Sequence, residues 1–209
     1  MTGGAQPLQQ ESRAGHALLA RGQAVVRAEL AGLARLAAAL EGEGALARAF
    51  PRAVAMVARA PGRAVVCGLG KSGLIARKIA ATMSATGRPA LFLHAGEAAH
   101  GDLGMMAPGD VLVLISQSGR TAELRAVLAH ARRIGAGCVG ITGDADSLLG
   151  EGADVVLALP PAAEAGFAGD APGWAPTTSA AMQLALGDAL ALGVMEMRGV
   201  ESGALALLH

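Results

Sequence analysis

Tyrosine is absent from this chain, and with three phenylalanines and one tryptophan the aromatic share is 2%. A core must therefore be assembled from Ala, Leu, Val, Ile and Met, and stacking platforms for nucleic-acid bases are not expected. Net charge is missing too. The 17 basic residues are matched by 17 acidic ones, without a basic run, so the footprint of a nucleic-acid or membrane-surface binder is lacking. Any preference for anions has to be local. Only two cysteines occur, Cys67 and Cys138, both inside apolar strand-like runs where a small buried thiol is the default rather than a disulfide or metal ligand; a reducing cytoplasm is implied. The opening MTGGAQPLQQESR has no basic segment followed by an apolar core, so a secretory signal is not expected. Apolar stretches are interrupted by Gly, Asp or Glu before the ~18 residues that a membrane span requires. These absences predict a soluble protein.

What is present is a repeated pattern. The 209 residues suit one domain with a helical extension: a tail and amphipathic helix over 1–43, then the domain proper over 44–209. Residues 1–8 are expected to be irregular. Leu18, Leu19, Val25, Val26, Leu30, Leu33, Leu36 and Leu40 recur at spacings near three and four, which predicts a helix over 11–40 and an apolar face for another surface to cover. A second helix is expected over 44–60, ending at Pro61-Gly62. Strands then follow at 64–67, 90–93, 111–115, 138–142 and 155–159, with helices at 72–86 and 121–134. A closing helix over 176–197 should turn Leu184, Leu186, Leu190, Leu192 and Val194 inward. A glycine- and proline-rich loop carrying Trp174 precedes it. Short β-rich runs alternating with helices predict a three-layer α/β/α sandwich around a five-stranded parallel sheet.

Two segments of this pattern end alike. VVCGLGKSG at 65–73 and VLVLISQSGRT at 111–121 are apolar runs that break into glycine turns bearing hydroxyls, the first also presenting Lys71. Glycines let backbone approach an oxyanion, and hydroxyls, free N–H groups and the following helix N-terminus favour it. Two such turns can face one ligand where strand order reverses. Commoner phosphate fingerprints do not apply: no acidic residue stands about twenty positions after the G-x-G-x-x-G outline, and Val66 occupies the place of the first Walker glycine. The pair reads as a sugar-phosphate site.

At these residues the chain resembles the sugar isomerase (SIS) domain family, and within it the arabinose-5-phosphate isomerases. The marks are GKSG at 70–73, HAGEAAHGDLGM at 94–105, SQSGRTAE at 116–123, ITG at 141–143, EA at 164–165, APTTS at 175–179, GDALA at 187–191 and a final His209, covering roughly 45–209. The resemblance implies interconversion of ribulose 5-phosphate and arabinose 5-phosphate, a supply step for the eight-carbon sugar acid of bacterial outer-membrane polysaccharides. It also implies phosphate contacts from Ser72, Ser116, Gln117, Ser118 and Thr121, and an active site of Lys71, His100, Glu123, Glu164 and His209. Three departures stand out. Arg120 replaces a frequent glutamate and is expected to reinforce phosphate binding, the 163–176 loop is longer than usual, and the sequence stops at His209 where relatives continue into a PGG segment and often a CBS pair.

Moving a proton between C1 and C2 through an enediol requires one base near both carbons and donors for the oxygen that gains charge. Glu164 is the preferred base and Glu123 the alternative, although an acid in a helix's first turn is also stabilised by the dipole without any function. His100 suits ring opening or a proton shuttle, and Lys71 can stabilise phosphate or enediolate. His94, Glu97, His100 and Asp102 resemble a metal cluster but lack the HExxH register, so no metal and no cofactor is expected. His16 and His130 are expected to be solvated. The expected partners are a phosphosugar and further copies of the chain, as a dimer or tetramer whose sites are completed between subunits. Two other readings stay open: a non-catalytic phosphosugar-sensing module, and an isomerase for a hexulose or heptose phosphate.

Overall fold

Apolar runs without alternation must bury both faces, which a parallel sheet between helical layers allows. In the computed structural model, which describes residues 5–165, 175–201 and 203, with side chains from residue 14 onward, the five runs form β1 (Ala64–Gly68), β2 (Ala90–His94), β3 (Val111–Ile115), β4 (Gly137–Thr142) and β5 (Val155–Ala158). All pairings are parallel and the order is β2-β1-β3-β4-β5. Every residue of β1 and β3 is buried. Gly68 stands level with both His94 and Ile115, so the chain leaves three neighbouring strands at one height. Strand order reverses between β1 and β3, and there a crevice opens.

Strand periodicity divides the core into two layers. Val66, Val113, Ile115, Val139 and Ile141 pack against α2 (Ala45–Arg59), α3 (Gly70–Ala85) and α7 (Thr178–Met197), with Leu36 of α1 (Ala5–Glu41) joining them. On the other face Val65, Cys67, Leu112, Leu114 and Cys138 meet α4 (Ala95–Ala98), α5 (Leu124–Ile134) and α6 (Leu148–Gly152). The expected three-layer sandwich is found. Both cysteines are free and buried, and burial pushes each thiol up to about 12.

Several details differ from the sequence reading. α1 starts at Ala5, so residues 5–8 are helical; Pro7 falls in its first turn, where a missing N–H breaks no helical bond. Leu33, Leu36 and Leu40 hold α1 to the core, while Leu18, Leu19, Val26 and Leu30 stand exposed. On α7 the inward row is Met182, Leu186, Leu190 and Val194. Leu192, 50% exposed, faces out and Leu184 is half-buried, because the four-residue ridge that meets α3 sets the helix's phase. By length and composition α7 is also apolar enough to cross a membrane, contrary to expectation, since Asp188 and Glu196 are its only charges; half of its most apolar stretch is buried in the fold. His130 is buried on α5, with Nδ1 2.5 Å from Arg133 Nη2, and not solvated. It sits beside the inward ridge Leu124, Val127, Leu128 and Ala131.

The GDALA segment is explained by packing alone. A Cβ on Gly187 would lie 2.0 Å from Ile79 Cδ1, and Asp188 receives Lys78 Nζ at 2.6 Å on both carboxylate oxygens, so the segment is the seam between α7 and α3. At the opposite end of the sheet, Asp110 accepts Arg63 N at 2.7 Å, Ala107 N at 2.9 Å and Arg63 Nη2 at 3.2 Å. Burial alone would raise this carboxyl, but these donors hold it below the ordinary aspartate value and tie the start of β3 to the start of β1.

Candidate functional site

The crevice is walled by the turns that leave β1 and β3. After β1, α3 begins at Gly70 so close to the strand that a Cβ on Gly68 would stand 2.8 Å from Ser72 O. Gly70 takes φ +58, and Leu69 at the N-cap offers no side-chain acceptor, leaving first-turn N–H groups directed outward beside Lys71 and Ser72. After β3, the chain folds on itself. Gly119 N donates to Ser116 Oγ at 3.2 Å, Ser116 Oγ lies 3.2 Å from Thr121 Oγ1, and Arg120 N donates to Ser118 Oγ at 3.3 Å. Gly119 has φ +62, and a Cβ there would fall 1.9 Å from Ser147 Oγ. The ITG segment holds this turn from the far side: Gly143 N donates to Gln117 O at 3.0 Å, and a Cβ on Gly143 would lie 2.2 Å from Gln117 Nε2.

Between the turns lies a cleft of about 350 Å³, lined by Lys71, Ser72, Ser116, Gln117, Ser118 and Thr121, with Leu69, Ile115, Leu124, Pro176, Ala180 and Gln183 completing its walls. All five expected phosphate contacts and Lys71 are thus brought together. Gln183 is a lining residue that the sequence reading does not include. Its one signal is a glutamine on the inward face of an otherwise apolar helix.

Glu164 sits at the rim. Its Oε2 accepts Thr177 N at 2.9 Å and Thr177 Oγ1 at 3.3 Å, and Ser179 N is 3.3 Å from both carboxylate oxygens, while the neighbouring Pro176 and Ala180 line the cleft. Partial burial would raise the carboxyl, but the donors of Ser179 and Thr177 outweigh it and keep the pKa below the ordinary glutamate value. The carboxylate therefore also caps the N-terminus of α7.

Like Glu164, Glu123 and His100 are absent from the cleft lining. Glu123 is exposed at the N-cap of α5 and lies outside the lining although Thr121 and Leu124 belong to it. His100 is exposed in the turn after α4, next to Gly101 at φ +118, also outside the lining. His209 and Trp174 fall outside the described residues. Among the described residues no three His, Cys, Asp or Glu side chains form a group able to hold a metal ion. Arg120 corrects an expectation: Nε and Nη2 reach Asp144 Oδ2 at 3.1 and 2.6 Å and Nη2 reaches Asp146 O at 3.0 Å, so its guanidinium braces the loop after β4 instead of serving the cleft.

Hydroxyls, N–H donors and one ammonium set among the apolar walls of a small cleft can hold the oxyanion of a compact solute, with Glu164 beside it to move a proton. Comparisons with known proteins bear on the family and the fold. The SIS domain model matches residues 56–193. The Escherichia coli (strain K12) protein named arabinose 5-phosphate isomerase KdsD is 45% identical over 149 residues, 71% of this chain and 44% of that protein. The Pseudomonas aeruginosa protein of the same name is 40% identical over 160 residues, 77% of this chain and 48% of that one. The chain spans about half the length of the curated relatives it matches. A solved structure described as E. coli CFT073 c3406 in complex with A5P superposes with TM-score 0.83 at 34% identity, covering 93% of this chain and 98% of that one.

Proposed function

Because the chain belongs to the SIS domain family, we propose that it is an aldose–ketose isomerase of phosphorylated sugars and that its substrates are arabinose 5-phosphate and ribulose 5-phosphate. The observation that carries this reading is the convergence of both hydroxyl turns and Lys71 on one cleft with Glu164 at its rim. Ser72, Ser116, Gln117, Ser118 and Thr121 bind the phosphate. Glu164 takes the proton from C2 of the open-chain aldose and returns it to C1, while the O2 proton passes to O1. Lys71 stabilises the intervening enediolate. His100, Glu123 and His209 complete the acid–base set for ring opening and for the transfer between oxygens. The reaction takes place in the cytoplasm and feeds lipopolysaccharide synthesis.

The test is a panel of pentose, hexose and heptose phosphates followed for isomer formation, with and without chelator. Arabinose 5-phosphate should turn over. Ser118→Ala and Thr121→Ala should each raise KM, by the roughly 1.5–3 kcal/mol that a hydrogen bond to a charged group is worth. Unaltered binding of inorganic phosphate by both variants would place the anion elsewhere. A specific observation favours a second reading, a phosphosugar sensor without turnover: the donors on Glu164 tie it to α7 and weaken it as a base. Ligand binding without isomer formation in the same panel would select the sensor.

The protein acts as a homo-oligomer. Leu18, Leu19, Val26 and Leu30 on α1, each more than half exposed, offer the contact, and a neighbouring copy brings its His100 to the cleft. Light scattering should return a multiple of the 20.6 kDa chain mass. A monomeric mass at working concentration would remove the shared site.

A further inference from the structure

The two turns lie beyond the last pair of the ladder between β1 and β3, Gly68↔Ile115, so sheet hydrogen bonds do not set the distance between them. Each pivots on a glycine with positive φ, Gly70 and Gly119. Among the described residues no direct hydrogen bond joins one turn to the other. Their connection runs through α7. Gln183 is 2% exposed and shares its helix face with Met182 and Leu186. Its Oε1 accepts Ser72 Oγ at 3.1 Å, and its Nε2 donates to Gln117 Oε1 at 3.0 Å. A buried amide is costly unless both of its ends are satisfied, and here each end is held by a different turn.

We propose that Gln183 is a positioning residue that sets the separation of the two halves of the anion cradle and thereby substrate affinity. The proposal rests on the cleft being a phosphosugar site. Ser72 has one hydroxyl proton, and it is directed at Gln183. Ser72 therefore meets the anion through its backbone N–H at the start of α3, and the glutamine keeps that N–H in line with the hydroxyls of the second turn. α7 carries the Glu164 cap at its N-terminus and the bridge about one turn further on, so one helix end holds both the two turns and the carboxylate.

Gln183→Leu removes both bonds at similar volume, and Gln183→Met is the second variant. Titration with inorganic phosphate, KM and kcat on arabinose 5-phosphate, and thermal melting are measured on each. The expected result is a loss of phosphate affinity of about tenfold, the scale of ordinary hydrogen bonds, a parallel rise in KM and little change in kcat. Wild-type phosphate affinity in a folded variant, or failure of both variants to fold, overturns the proposal and leaves Gln183 as a packing residue. If the wild-type protein itself binds neither phosphate nor phosphosugar, the proposed function fails and this inference falls with it.

Discussion

Glu164→Gln is expected to lower kcat by ~10²- to 10⁴-fold, the contribution of a positioned acid–base group, while inorganic phosphate and the substrate still bind. The amide preserves shape and can accept from Thr177 and Ser179, so α7 remains seated. What it cannot do is take the C2 proton. The same variant should change acid stability in a defined sense. The donors of α7 hold the Glu164 carboxyl below the ordinary glutamate value of about 4.3, so its ionised form contributes stability that is present above that pH and lost as pH falls through the lower folded value. Unfolding followed against pH should therefore show the gap between wild type and Glu164→Gln closing on the acid side. Near-normal kcat in the variant would make Glu164 a helix cap alone and transfer the role of base to Glu123.

Gly119→Val should be the most damaging single substitution in the cradle. Valine is strained at φ +62, and a Cβ there meets Ser147 Oγ at 1.9 Å, Ser147 Cβ at 2.6 Å and Thr142 Oγ1 at 2.9 Å, side chains already held by the Asp144 carbonyl. A cost of about 3 kcal/mol or more in unfolding free energy is expected, together with loss of phosphate binding as Ser116 and Ser118 are displaced. Gly135→Ala provides the control. Its φ of +72 is comparable, yet nothing lies within 4 Å of the added Cβ, so backbone strain of about 1 kcal/mol should be the whole effect. Equal denaturant midpoints for the two variants would show that crowding at Ser147 does not hold the turn.

Much of this architecture is legible in the order of residues alone. The run at 111–115 is β3 to the residue, and the other strands shift by one residue at an end, because unbroken apolar runs between glycine turns leave a parallel strand little room to slide. The short elements are not legible. α4, the 3₁₀ turn Asp102–Met105 and α6 are too brief to declare themselves through periodicity, and segment 95–105 is rich in small residues that favour no particular conformation.

The cradle divides the same way. Residue types and spacing determined that two hydroxyl turns would follow buried parallel strands, and that the chain would carry Lys71, the serines and Thr121 at their tips, because turn chemistry is local. Which charges and amides serve those turns was decided by tertiary structure. Arg120 is one bond along the chain from Gly119 yet its guanidinium reaches Asp144, since the loop after β4 offers a carboxylate at 2.6 Å. Gln183 is more than a hundred residues from Ser72 and yet accepts its hydroxyl, and Glu164 is anchored by donors that exist only once α7 has formed. Strand and turn propensities act over a few neighbouring residues, whereas partners across such separations meet only when the sheet and its covering helices have closed.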